Sequence, residues 1–163
     1  DDLGENEKEQ IIRELNPLPH QRLFFTSIKY GTPYHIITRR EKAINEKEEV
    51  LLVSGIASPR PLKKFLADNT AAYYELFYED HHIFTIDDWK EIRKRFDSMQ
   101  SDNKIILTTE KDAVRLMKFQ QSMDFYPLYV MPMQVHFLFA EEQAFTDLIT
   151  TFIAGFTNQT TDN

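Results

Sequence analysis

Cysteine is absent from the 163 residues, which excludes disulfides, thiolate catalysis and Cys-ligated zinc and leaves the redox compartment open. Glycine is almost absent as well. Only residues 4, 31, 55 and 155 are glycine, so these residues hold neither a G-x-x-x-x-G-K-[ST] phosphate loop nor a G-x-G-x-x-G turn. No apolar run reaches the ~18 residues that a membrane-spanning helix requires, and no signal-peptide pattern opens the sequence. A surplus of positive charge is missing too. The net charge is −7, the wrong sign for a groove that neutralises phosphates with clustered Lys and Arg, so no nucleic-acid partner is expected. The sequence has no internal repeat and no low-complexity tract.

What is present is core-forming. Apolar residues make up 42%, with 13 Phe and 7 Tyr, enough for one domain, or for a small domain and a piece of another. Glu5 to Leu15 reads as an amphipathic helix with Ile11, Ile12 and Leu15 inward, stopped by Asn16-Pro17-Leu18-Pro19. Arg22 to Lys29 reads as a strand, Gly31-Thr32-Pro33 as a turn, and Tyr34 to Thr38 as a second extended stretch. Residues 39–49 (RREKAINEKEE) are the most charged and least core-like segment. A solvated connection and a domain boundary are expected there.

Beyond it, strand and helix patterns alternate. Val50 to Val53 is wholly apolar, as in a strand buried on both faces of a parallel sheet. Gly55-Ile56-Ala57-Ser58-Pro59 follows, with Ser58 expected as the N-cap, Pro59 at the first helical position, and Leu62, Phe65 and Leu66 inward. Ala71 to Tyr78 is the second strand. Thr85-Ile86-Asp87-Asp88 has the form of a capping box and opens a helix with Ile86, Trp89, Ile92 and Phe96 on one face. Lys104 to Thr108 is the third strand. Thr109-Glu110-Lys111-Asp112 caps the next helix, with Ala113, Val114 and Met117 inward. Extended runs at Tyr126 to Met131 and Gln134 to Phe139 straddle Pro132. A last helix, Glu142 to Phe156, is expected to bury Phe145, Leu148, Ile149, Phe152 and Ile153, and residues 157–163 read as a polar tail. The alternation implies an α/β fold: a three-layer sandwich with a mostly parallel, Rossmann-like sheet, preceded by a short helix and β-linker. Right-handed crossovers would then gather loops 54–58, 79–85 and 108–110 on one rim, where such sheets meet ligands.

The chemistry-bearing stretch is Glu79-Asp80-His81-His82, at the end of an aromatic-rich strand and before a helix start. A carboxylate beside an imidazole orients the ring and raises its basicity, as a proton-handling site needs. An exposed Asp-His pair in a solvated loop has the same sequence. The triplet by itself does not choose.

Three pieces together say more. Val53-Ser54-Gly55-Ile56-Ala57-Ser58-Pro59, Asp80-His81-His82, and Leu107-Thr108-Thr109-Glu110-Lys111-Asp112-Ala113-Val114-Arg115-Leu116 each sit at a strand-to-helix junction. In that order and spacing they resemble the C-terminal half of the tetraacyldisaccharide 4'-kinases, the lipid A 4'-kinases of Gram-negative bacteria. The Thr-Glu-Lys-Asp-Ala-Val stretch is the most specific element, and the similarity runs from about Arg22 to the final helix.

The resemblance implies transfer of the ATP γ-phosphate, with Mg²⁺, to the 4'-hydroxyl of a tetraacyldisaccharide 1-phosphate, the lipid A precursor. In that family the phosphate loop, the Mg²⁺ ligands, a catalytic aspartate and a membrane-associated helix belong to an N-terminal domain, and none of them lies in this sequence. The implied organisation is therefore a remnant of that domain and β-linker over 1–46, an α/β lid domain over 47–156, and a tail over 157–163. Such a fragment is expected to be soluble and inactive alone, its full-length enzyme working at the cytoplasmic face of the inner membrane. The resemblance also implies that His81, beside Asp80, pairs with the N-terminal aspartate and assists removal of the 4'-hydroxyl proton, and that closure of the lid delivers it.

Gly55, Ser58, Thr109, Glu110 and Lys111 would lie on loops adjacent to nucleotide or substrate, with Lys111 or Glu110 facing the nucleotide or stabilising the His81 loop, and no metal ligand is expected in this chain. Each has a plainer reading. Gly55 serves a tight turn; Thr109 to Asp112 only cap a helix; Asp80 caps the following turn; His82 is a surface residue; His20, His35 and His136 are structural. Two other functions compete with the kinase: a non-enzymatic α/β binding module, and a metal phosphoesterase with an Asp-His-His signature. The second needs further Asp and His donors upstream, where only Asp1, Asp2 and Asp68 are aspartates, none in an Asp-x-Asp arrangement.

Overall fold

The computed structural model describes residues 3–123 and 125–157. Within it the chain divides into two compact units, Tyr30–Gln134 and the pair of segments Asp1–Lys29 and Val135–Asn163. The larger unit is built on β3 (Glu49–Ser54), whose Val50, Leu51, Leu52 and Val53 are fully buried. It runs parallel to β4 (Ala72–Phe77) on one side and β5 (Lys104–Thr109) on the other. β6 (Leu128–Met131) continues parallel beyond β5, and β2 (Tyr34–His35) closes that edge antiparallel. The strand order is β2-β6-β5-β3-β4.

The period-2 alternation of the strands sorts their side chains into two cores. Leu51, Val53 and Ile106 pack with Trp89, Ile92 and Phe96 of α3 (Ile86–Asp97) and with Leu116 of α4 (Glu110–Leu116). Val50, Leu52, Ile105 and Leu107 face the other way, onto Leu62 and Leu66 of α2 (Arg60–Asn69). Helices therefore cover both faces, as the alternating pattern predicts. Each fully buried Leu, Ile or Val contributes about 1.5–3 kcal/mol relative to exposure, so these two layers hold the unit together.

Local details differ from expectation for physical reasons. α2 starts at Arg60 with Pro59, not Ser58, as its N-cap, and no side chain caps it. In α4 Val114 is 78% exposed and Leu116 is buried instead. Residues 113, 116 and 117 share a helical face; 114 lies about 100° away from 113. Ile86 is likewise exposed at the first turn of α3. The charged segment 39–49 is not wholly solvated. Glu48 is fully buried and ion-paired with Lys42, whose ammonium burial pulls to a lower pKa. The boundary expected at residues 46 and 47 lies inside the larger unit.

In the smaller unit are α1 (Glu5–Leu15), the bulk of β1 (Thr26–Tyr30) and of β7 (Met133–Phe137), which pair as a two-stranded sheet, and α5 (Glu142–Thr157). Phe24 meets Phe137 and Phe145 edge-on, and Lys8 reaches Glu141 at 2.7 Å while lying over the Phe139 ring. α1 buries none of its residues, and Leu15 is exposed. The apolar residues expected inside α5 are also exposed: Phe145, Leu148, Ile149, Phe152 and Ile153. Among the described residues no helix is long and apolar enough to cross a membrane. The tail expected over 157–163 lies outside the described residues, apart from Thr157 at the end of α5.

Candidate functional site

Because β3, β4 and β5 are parallel, Ser54, Phe77 and Thr109 end on one rim of the sheet. The loops that follow are fastened to one another. Tyr78 donates its N–H to the Ser54 carbonyl at 2.9 Å, and Gly55 donates its N–H to Asp112 Oδ2 at 2.9 Å. A Cβ at residue 55 would stand 3.0 Å from the Glu79 carbonyl oxygen and 3.4 Å from Asp112 Oδ1. Glycine there permits the close approach between loops.

Glu79 to His82 forms a tight turn, closed by the His82 N–H on the Glu79 carbonyl at 3.1 Å. His81 occupies the left-handed region at φ 65°, a conformation that costs a side-chain-bearing residue about 1–2 kcal/mol. Asp80 offsets that cost. Its Oδ1 accepts the His81 N–H at 3.0 Å and is also bonded by the Lys111 ammonium, while Oδ2 lies 3.6 Å from His81 Nε2. The Lys111 hydrogen bond first, and then the neighbouring His81, hold the Asp80 carboxyl below the usual carboxylate range. The His81 imidazole itself is 79% exposed. Its backbone is tethered and its ring projects into solvent.

His82 is no loose surface residue. Its Nε2 pairs with Asp88 Oδ2 at 2.9 Å, its ring stacks on Tyr78 at 4.7 Å, and Phe84 meets it edge-on. Burial works to raise the Asp88 carboxyl, but the Thr85 N–H, the His82 ring and the Thr85 hydroxyl outweigh it, and the pKa is lowered. The Tyr78 hydroxyl is pushed up by burial and then by the Glu91 and Asp88 carboxylates. Asp80 and His81 thus face each other, while His82 turns away to Asp88. No three His, Asp or Glu residues converge as a metal cage among the described residues.

The remaining candidates separate. Thr109 caps α4, accepting the Asp112 N–H at 3.2 Å and donating its hydroxyl to Asp112 Oδ2 at 2.9 Å. The Lys111 ammonium bonds the Asp80 carboxylate. Glu110 turns elsewhere and accepts the Met133 N–H at 3.3 Å. Ser58 is exposed and caps nothing. His35 is structural: its Nδ1 accepts the N–H groups of Ile37 and Thr38 at 3.2 Å each. The residue that sequence reasoning undervalued is Asp112, which is fully buried. Its signal was the Thr-x-x-Asp spacing, which announces a cap but not that the carboxylate also reaches Gly55, 57 residues away.

Comparison with known proteins supplies the family context. Residues 3–154 match the family model for tetraacyldisaccharide-1-P 4'-kinase. The chain is 33% identical over 150 residues to a tetraacyldisaccharide 4'-kinase of Phocaeicola vulgatus, covering 88% of this chain and 41% of that protein. It is 37% identical over 150 residues to the protein of the same name from Parabacteroides distasonis, with the same coverage of 88% and 41%. The chain thus spans about 41% of the length of these curated relatives. A solved structure, the "apo" form of LpxK from Aquifex aeolicus in complex with ATP, is 16% identical with a TM-score of 0.45, covering 83% of this chain and 38% of that one.

Proposed function

The chain belongs to the tetraacyldisaccharide-1-phosphate 4'-kinase family, and from that premise we propose that it supplies the proton-handling histidine for phosphoryl transfer from ATP to a tetraacyldisaccharide 1-phosphate. The observation that carries this reading is His81, an exposed imidazole on a tethered turn at the rim where parallel strands end. In the proposed step the His81 imidazole takes the proton of the 4'-hydroxyl on Nδ1, since Nε2 faces Asp80. The freed oxygen attacks the γ-phosphorus, and the bond to the ADP leaving group breaks. Such transfer depends chiefly on positioning and electrostatics, so an oriented acceptor for the hydroxyl proton is a fitting contribution from this chain.

The rest of the reaction is assigned elsewhere. Four scattered glycines make no phosphate loop, and the rim's carboxylates are engaged by Lys111, His82 and Gly55 rather than grouped as Mg²⁺ donors. Among the described residues no group of carboxylates therefore fits a Mg²⁺ site. Phosphate binding, Mg²⁺ and contact with the cytoplasmic face of the inner membrane fall to the remainder of a polypeptide of the relatives' length. Closure onto that remainder would bring His81 to the acceptor and exclude water.

The test is kinetic, in a kinase of that length. His81→Ala is expected to lower turnover about 10²–10⁴-fold while leaving the ATP KM nearly unchanged, and His82→Ala to change turnover little. Unaltered turnover, or a defect confined to the ATP KM, overturns the role of His81. The 163-residue chain alone is expected to transfer no phosphate from ATP to the disaccharide.

A further inference from the structure

Two neighbouring side chains in the first turn of α4 reach two different loops. Asp112 takes the Gly55 N–H of the loop after β3, and Lys111 takes the Asp80 carboxylate of the loop after β4. A Cβ at Gly55 would in turn stand only 3.0 Å from the Glu79 carbonyl oxygen. The turn that presents His81 is therefore bounded at Glu79 by Gly55 and gripped at Asp80 by Lys111. The grip matters because Asp80 Oδ1 is the same atom that accepts the His81 N–H in its left-handed conformation.

We propose that Lys111, seated by the Asp112–Gly55 bond, is a positioning residue that holds Asp80 in place and thereby sets the backbone of His81. The proposal rests on the kinase reading for its consequence but not for its geometry. An exposed histidine on a free turn samples many orientations, whereas a proton acceptor works only within a narrow range of distance and angle. Lys111 accordingly acts on turnover rather than on nucleotide affinity. The other charged groups near the turn are accounted for. Glu79 and His82 belong to the turn itself, Asp88 of α3 is engaged by His82, and Arg115 of α4 lies 3.7 Å from Asp112.

One experiment tests the geometry without any activity. The backbone amide resonance of His81 in the 163-residue chain should report ionisation of Asp80 during an acid titration, because that N–H is bonded to Asp80 Oδ1. The parent midpoint should lie below the ordinary carboxylate range. Lys111→Met should move it up toward that range, and Lys111→Arg should keep it low. A His81 amide whose position and midpoint are unchanged in Lys111→Met overturns the proposal.

The second measurement is turnover in the kinase of the relatives' length. Lys111→Met should lower kcat about tenfold with the ATP KM within about twofold, as misplacement without lost binding does, and Lys111→Arg should restore most of the rate. A loss confined to the ATP KM, or no rescue by Arg, also overturns it. If the titration behaves as expected while His81→Ala leaves turnover intact, the kinase role of His81 falls and the positioning of the turn stands.

Discussion

α3 and α4 begin with the same four-residue device, Thr85-Ile86-Asp87-Asp88 and Thr109-Glu110-Lys111-Asp112, and use it differently. In each, the threonine hydroxyl accepts the N–H of the aspartate three residues on, at 3.2 Å, and donates to Oδ2 of that aspartate at 2.9 Å. At α3 the carboxylate closes the box locally by taking the Thr85 N–H, and a neighbouring ring, His82, adds to it. At α4 the equivalent carboxylate is fully buried and takes the Gly55 N–H from another strand's loop. The first is a helix start with a histidine leaning on it. The second is a joint between two loops of the rim. The difference lies in what surrounds each carboxylate, since α3 follows a loop while α4 follows β5 directly, with β3 alongside.

That contrast can be broken by mutation. Asp112→Ala should cost about 3 kcal/mol, because it removes a buried, multiply bonded carboxylate and leaves the Gly55 N–H and Arg115 without it. Asp88→Ala should cost about 1 kcal/mol, the ordinary value of a lost cap. Urea denaturation of the two variants gives the comparison directly, and equal losses would mean that the two boxes are energetically alike. Gly55→Ala should fall between them, at about 1–2 kcal/mol, since the backbone must shift to relieve the 3.0 Å approach to the Glu79 carbonyl.

Acid sharpens the contrast on the α3 side. The folded pKa of Asp88 is depressed, so its ionised form favours the folded state. That stabilisation is present above the unfolded value near ~4 and is lost as pH falls through the lower folded value. The stability gap between the parent and Asp88→Asn should therefore be widest near neutral pH and shrink on acidification below about pH 4. A gap that widens in acid would reverse the sign of the argument. Smallest of all, Val114→Ala on the exposed face of α4 should stay within about 0.5 kcal/mol of the parent.

The cap of α3 was legible to the letter because a capping box involves four consecutive residues and their own backbone. The same spacing located the start of α4, yet Asp112 passed as a capping residue alone. Its bond to Gly55 joins positions 57 apart, and no local pattern records it. His82 was misjudged for the same reason: Asp88 and the stack on Tyr78 depend on how the turn folds back. The apolar positions of α5 were legible as a pattern, but the pattern says which residues would favour burial, not whether a surface is present to bury them against.

The apolar run at 50–53, the alternation of strands with helices and the absence of clustered glycines determined a mostly parallel α/β unit without a phosphate loop. They did so because burial on both faces and phosphate cradling each demand a composition readable in consecutive residues. Only the tertiary structure decided that Lys111 grips Asp80, that Asp112 joins α4 to Gly55, and that His81 stands exposed in a left-handed turn. Those outcomes depend on which strand ends lie side by side in the order β5-β3-β4. Bringing residue 55 to 112 and residue 80 to 111 within hydrogen-bond range is the work of strand pairing and crossover direction, and the pattern at each position contains neither.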